Sequence, residues 1–307
     1  MQLENAVLTL HTTGGGEFVC GRLIGFHLAK ERYTPYSTLD VTAVCTGKNA
    51  PSNIGKAVFS IGGIVVHSGT ADSFSVSTSG GETRLRIRSR GFSAMLSQNE
   101  TEPGLMTGVS LNSLMTGMPL PNVTWQADSR TVRYVYVKEH DSMWSVIVNL
   151  ALSLNGEYPF VGGVNEVRLT SDGTVHTPEK VFETGETEDY SRIVSHYHMK
   201  DAQGNYTYNY TDGFAEARGI IRHKYIPYDQ QFVGLDDYGL QYKLNFTHRG
   251  CRGRFVTYMG YYGEEPGSRI VFPDGTEAEI SAVEVRGNAK RGIYTKATCY
   301  YDRYCNK

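Results

Sequence analysis

From Asn5 to Arg90 apolar and polar residues alternate with a period of two, broken at short intervals by glycine-rich turns. Nothing else in the chain narrows its fold as much. The segments AVLTLHT, EFVCGRLIGFHLA, TLDVTAVC, KAVFSIGGIVVHSG, SFSVSTS and TRLRIRS each place successive side chains on opposite faces, as a strand with one buried face requires. Short strands at this spacing, with Gly14 to Gly16 as a hairpin turn, predict a barrel or sandwich and not a βαβ arrangement.

The pattern changes between Phe92 and about Glu183. The stretch DSMWSVIVNLALSLNG reads as a helix, with Asp141 as N-cap and Gly156 as the C-terminal stop. Ser145, Asn149 and Ser153 form its only polar line, so it should be buried on most sides. With TVRYVYVKE and EVRLTSDGTV as flanking strands, it predicts a small α/β module. From Thr184 to Lys307 strands return, together with 16 of the 21 tyrosines. YSRIVSHYHMKD and NYTYNYTD flank a turn at Gly204, GLQYKLNFTH and RGRFVTYMGYY bracket a Gly-Cys-Arg-Gly corner, and RIVF and EAEISAVEV read as a hairpin over PDGT. Ala278, Ile280 and Ala282 share one face before Val283 and Val285 switch, which predicts a β-bulge near Ala282. The expected class is mainly β (α+β): a first barrel over residues 1–91, a helical linker and α/β module over 92–183, and a second barrel over 184–307.

A formal net charge of −2 and a pI near 6.5 argue against a chain that wraps nucleic acid, so partners must be sought in local patches. The five cysteines, an odd number without a C-x-x-C pair, and an N-terminus lacking basic and apolar leader regions, predict cytosolic synthesis with reduced thiols. No apolar run approaches the roughly 20 residues that cross a bilayer.

Catalytic signatures are missing: there is no G-x-S-x-G elbow, no G-x-G-x-x-G and no Walker lysine loop, so no enzyme and no cofactor is expected. His196 and His198 share a strand face near Asp201, half of a metal site at most. The adjacent carboxylates Glu264/Glu265 and Asp236/Asp237 point to opposite sides if they lie on strands, and are read as solvated loop residues. Two features remain as candidate partner contacts. Tyr206, Tyr208 and Tyr210 line one face of their strand, where aromatic rings suit packing against a barrel or subunit. Arg84, Arg86 and Arg88 stand opposite Leu85 and Ile87, with Arg90 at the strand end, more cation than solubility requires and suited to a partner surface or central channel.

The stretch Thr83–Pro103 carries Arg88, Ser89, Arg90, Ala94, Leu96, Asn99, Glu100, Glu102 and Pro103. In this run it resembles the baseplate hub proteins of contractile phage tails and tailocins, of the late-control-protein type. The resemblance implies a structural subunit of a virion tail baseplate, made in the host cytoplasm. It also implies a homotrimer whose two barrels per chain form a pseudo-hexameric ring between a hexameric tail tube and a trimeric spike. Tail tube, spike, tape measure and baseplate wedge proteins are its expected partners; membranes and sequence-specific nucleic acid are not. A second likeness competes for the middle module: YVYVKEHDSMWSVIVNLALSLN is similar to the opening of LysM domains, and implies a peptidoglycan-binding tail component as the alternative.

Overall fold

Alternation becomes burial in the first strand: in β1 (Ala6–Thr12) Ala6, Leu8 and Leu10 are buried while Val7 is exposed. The computed structural model describes residues 3–20, 22–45, 51–233 and 246–301, and about half of the chain is strand against 13% helix, the mainly β class expected. By their contacts the residues fall into two units, Met1–Glu183 with Val256–Thr298, and Thr184–Phe255 with Cys299–Lys307.

In the first unit, β2 (Glu17–Cys20), β3 (Arg22–Glu31), β4 (Thr38–Cys45), β5 (Ile54–Ile61), β6 (Ile64–Ser79) and β7 (Glu82–Gly91) follow β1 as the alternation predicts. SFSVSTS is the second half of the single long strand β6. Phe59, Leu28, Leu39, Leu85 and Ile87 join Leu8 and Leu10 as fully buried side chains.

The middle module is built from α1 (Met95–Gln98), β8 (Gly104–Val109), α2 (Leu111–Gly117), β9 (Thr124–Trp125), β10 (Val132–Val137), α3 (Met143–Asn155), β11 (Phe160–Gly162), β12 (Glu166–Arg168) and β13 (Val175–His176). Val146, Ile147 and Leu150 of α3 are fully buried against Val135, Val137 and Val167. Gly156 ends α3 in the left-handed region at φ 69°, as expected. The N-cap is Ser142, not Asp141: its Oγ accepts from the Ser145 amide at 3.1 Å, while Asp141 accepts from the Lys138 amide one turn earlier. Ser142→Ala is therefore expected to cost about 1 kcal/mol, measured as a shift in urea midpoint, and Asp141→Ala less at the helix itself.

The strands β14 (Val181–Glu188), β18 (Arg252–Met259) and β22 (Gly292–Tyr300) run across the boundary between the units. Between the first two lie β15 (His196–Lys200), β16 (Tyr206–Thr211), α4 (Gly213–Glu216), β17 (His223–Ile226) and α5 (Gln230–Val233), all in the second unit. β15 pairs antiparallel with β16 and parallel with β17, around Val194, Tyr197 and Met199. Most of GLQYKLNFTH lies outside the described residues. The first unit is completed by β19 (Arg269–Val271), β20 (Glu277–Glu279) and β21 (Ala282–Asn288).

An eleven-stranded sheet runs in the order β14-β18-β22-β21-β3-β4-β7-β6-β5-β1-β2. Its central junction is the antiparallel pairing of β21 with β3, from Ala282 opposite Glu31 to Asn288 opposite Gly25. The phase slip near Ala282 is not a bulge. β20 pairs with β19 in a separate sheet, the chain breaks at Ile280 and Ser281, and β21 starts anew with unshifted register against both β3 and β22.

Candidate functional site

β7 lies between β4 and β6, with Leu85 and Ile87 buried on one face and the arginines on the other. The side chains of Arg84, Arg86 and Arg88 are 60%, 53% and 63% exposed. Asp40 of β4 serves two of them: Arg86 donates to both its oxygens at 3.1 and 2.6 Å, and Arg88 Nε donates at 3.2 Å. The hydrogen bond from Arg86 is the main reason the Asp40 carboxyl sits below the ordinary range. Glu82, also lowered, accepts from Arg84 and Arg22, and Asp72 accepts from Arg90 at 2.6 and 3.1 Å. Five arginines thus share three carboxylates. Exposed pairs of this kind add little to stability, so the row is free to serve recognition, and forked guanidinium groups suit carboxylate-bearing surfaces.

The tyrosines do not share one face. Tyr208 pairs with Met199 and Tyr210 with Tyr197, and both pack against that small core. A register shift between Met199 and Lys200 sets Tyr206 opposite Lys200, where its ring meets Tyr225 edge-on at 5.1 Å, on the other side of the sheet, and is 44% exposed. That side also carries His196, His198 and His223, stacked at 4.3 to 6.3 Å between ring centres. His196 approaches Glu216, while Asp201 is occupied by the amides of Gln203 and Asn205 in the adjoining turn. Among the described residues no group of three or more His, Cys, Asp or Glu is placed to hold a metal ion.

Glu264 and Glu265 are not solvated. Glu264 is fully buried and accepts from the Tyr262 amide at 2.9 Å; Glu265 receives the ammonium of Lys30, itself only 6% exposed. Burial pushes Glu265 upward and Lys30 partly restores it. Asp236 and Asp237 lie outside the described residues. The described cysteines Cys20, Cys45, Cys251 and Cys299 are buried, and burial raises the thiols of Cys20 and Cys299 to about 12, far from nucleophilic.

No family model matches the chain, and no curated protein sequence matches it significantly. Solved structures do. The chain is similar to a tail protein of Neisseria meningitidis MC58, with TM-score 0.70 and 13% identity over 97% of each chain. It is similar to the 43 kDa tail protein of prophage MuSo2 from Shewanella oneidensis, with TM-score 0.68 and 13% identity over 96% of this chain and 97% of that one. A third likeness, with TM-score 0.56 and 12% identity over 93% of this chain and 76% of the other, is to the E. coli c3393 protein. That protein is a type VI secretion component with structural similarity to the T4 tail proteins gp27 and gp5.

The fold is the one found in phage tail proteins and in a type VI secretion component, which bears out the hub-type likeness read from Thr83–Pro103. At these identities the kinship is one of fold.

Proposed function

We propose that this chain is a structural hub subunit of a tail baseplate, in a phage or a phage-like contractile particle. It acts as a homotrimer that adapts a hexameric tail tube to a trimeric spike. Its two β segments, 1–91 and 184–307, contribute two blades per copy, with the module 92–183 between them in the chain. The observation that carries this reading is the likeness of fold, along 97% of both chains, to a tail protein of Neisseria meningitidis MC58. Tape measure and wedge proteins complete its surroundings, and no chemical step is assigned to it. The full burial of Glu264 and the engagement of Glu265 by the Lys30 ammonium support that last point, since a catalytic carboxylate pair must reach its substrate.

The contacts toward partners are the row Arg84, Arg86, Arg88 and Arg90 in the first unit and, as a separate contact, the exposed Tyr206 in the second; Tyr208 and Tyr210 serve mainly their own core. Changing Arg84, Arg86 and Arg88 together to glutamate removes exposed ion pairs and sets like charges beside Asp40 and Glu82, and is expected to cost about 1 kcal/mol per site, with the strand still folded by its buried Leu85 and Ile87. Assembly with tube or spike protein, read by co-sedimentation and electron microscopy, should fall sharply through lost electrostatic complementarity. Normal assembly of the triple variant would return the row to a solvated face.

Trp144 is the residue on which glycan binding would depend, and it is only 6% exposed, with its ring edge-on to Tyr158 at 6.2 Å. The middle module therefore uses its helix for internal packing. Sedimentation with purified sacculi should show no saturable binding.

A further inference from the structure

The middle module leaves one strand half paired. β8 lies in a two-stranded sheet with β10, from Gly104 opposite Val137 to Val109 opposite Val132. Among the described residues, the backbone of Leu105–Val109 bonds to no main chain but that of β10, so the outer edge of β8 is free. Its six residues make a strand of ordinary length, with no charge and no proline, and Leu105 is 58% exposed. Native proteins normally blunt such an edge with lysine, proline or a bulge, because unpaired amides and carbonyls there template another strand.

A cavity of about 470 Å³ follows this edge, within the size range of ligand clefts, roughly 300–1,000 Å³. Met106, Thr107, Gly108 and Val109 all border it. Successive side chains of a strand point to opposite faces, so a cavity that touches all four lies beside the strand and not over either face. Among the described residues none of β10 borders it, which puts it on the unpaired side. The other walls are α2, through Leu114, Gly117 and Met118, and the stretch Glu100 to Glu102. Gly108 and Gly117 add room for a second backbone, since nothing lies within 4 Å of where either would carry a Cβ.

The walls select what can enter. Val109 and Leu114 are buried and Met106 and Met118 partly so, and unbranched thioethers adapt to apolar side chains of varied shape. The Thr101 hydroxyl donates to the Met118 sulfur at 3.6 Å and fixes where that side chain lies. Among the described residues Glu100 and Glu102 are the only charged groups around the cavity. Both are exposed; Glu100 approaches His140 at 3.3 Å, and Glu102 has no cationic partner among the described residues. They belong to the run Asn99–Pro103, to which the proposed hub role assigns no contact.

We infer that β8 takes up an extended segment of a partner protein as a third strand, a segment that carries lysine or arginine among apolar residues. Main-chain hydrogen bonds to Leu105–Val109 supply the attraction, apolar side chains settle on Met106, Leu114 and Met118, and the cations meet Glu100 and Glu102. An acidic segment would set like charges beside the two glutamates, and a helix would leave the edge of β8 unpaired. Neither trimer assembly nor a tube or spike contact is needed for this pairing.

Selection from a library of random short peptides on the full-length chain tests it. Enriched peptides are expected to combine lysine or arginine with valine, isoleucine or leucine. By fluorescence anisotropy they should bind about tenfold more weakly to the double variant Glu100→Gln with Glu102→Gln, whose thermal melting should match the parent because both side chains are exposed. Hydrogen exchange at the Leu105–Val109 amides should slow when an enriched peptide is bound, the mark of an added strand and not of a purely electrostatic contact. A library that enriches nothing, or that enriches acidic peptides, would overturn the pairing. So would binding that ignores the two glutamines, or that leaves exchange along β8 unchanged. The arginine row tests the hub role separately, so either can fail alone.

Discussion

Lys30→Met is expected to lower the unfolding free energy by about 3–5 kcal/mol, the range for removing one partner of a buried ion pair. Lys30 lies on β3 with its ammonium 2.9 Å from the Gly163 carbonyl and in contact with Glu265, which also accepts from the Tyr261 hydroxyl at 3.4 Å. Without the cation, Glu265 must take up a proton or remain as an uncompensated buried charge, and its pKa already leans upward through burial. The same ammonium holds Gly163 of the middle module against β3, so the module should loosen as well as the local pair. Chemical denaturation gives the loss. The double change Lys30→Met with Glu265→Leu should recover most of it, since well-packed apolar residues often replace a buried pair at little cost. A single variant as stable as the parent, or a double variant no better than the single, would show that the pair does not hold this joint.

Neither partner of that pair announces itself in the sequence. Lys30 ends an alternating strand and could as well face water, and Glu264 and Glu265 stand in a Gly-Glu-Glu-Pro-Gly run whose composition predicts a solvated turn. Their burial follows from which strands meet across more than 200 residues of chain, and no local pattern encodes that. The strands themselves were legible wherever one face is core and the other water, as in β1, β4 and β7. The break at Ile280 and Ser281 imitates a bulge because both change the phase of alternation, and only the pairing of β20 with β19 and of β21 with β3 separates them. Tyr206 went to the wrong face for a related reason: the shift beside Lys200 lies in a strand pair, not in either strand alone. Ser142 took the capping role from Asp141 because either residue type can cap, and one residue of offset decides which oxygen reaches the free amide. The arginine row was legible in full, since alternation alone fixes its face.

The second large effect is on the pH dependence of stability, and it comes from a histidine the alternation hides. His67 of β6 is 1% exposed, with Nδ1 bonded to the Ser37 hydroxyl at 2.7 Å and Nε2 to the Ser89 hydroxyl at 2.8 Å. Either hydroxyl can donate or accept, so the neutral ring is satisfied in both tautomers. Burial first, and the charge of Lys30 second, push its pKa down from 6.5 to about 3. An unfolded chain binds a proton at this histidine below about pH 6.5, whereas the folded one does so only near 3. The contribution is therefore complete above pH 6.5 and is lost as pH falls toward 3, at about 1.4 kcal/mol per pH unit. Between pH 6.5 and 4.5 the expected loss is about 2–3 kcal/mol. Glu284, held down to about 2 chiefly by its hydrogen bond with His27, acts lower, losing its contribution as pH falls from about 4.5. His67→Gln should flatten the slope of stability between pH 6.5 and 4.5 and leave the steeper decline below 4.5 in place. Urea midpoints at half-unit pH intervals for parent and variant give both slopes. Parallel curves across the upper window would mean that His67 is protonated in the fold and that the Ser37 and Ser89 hydroxyls accept from an imidazolium.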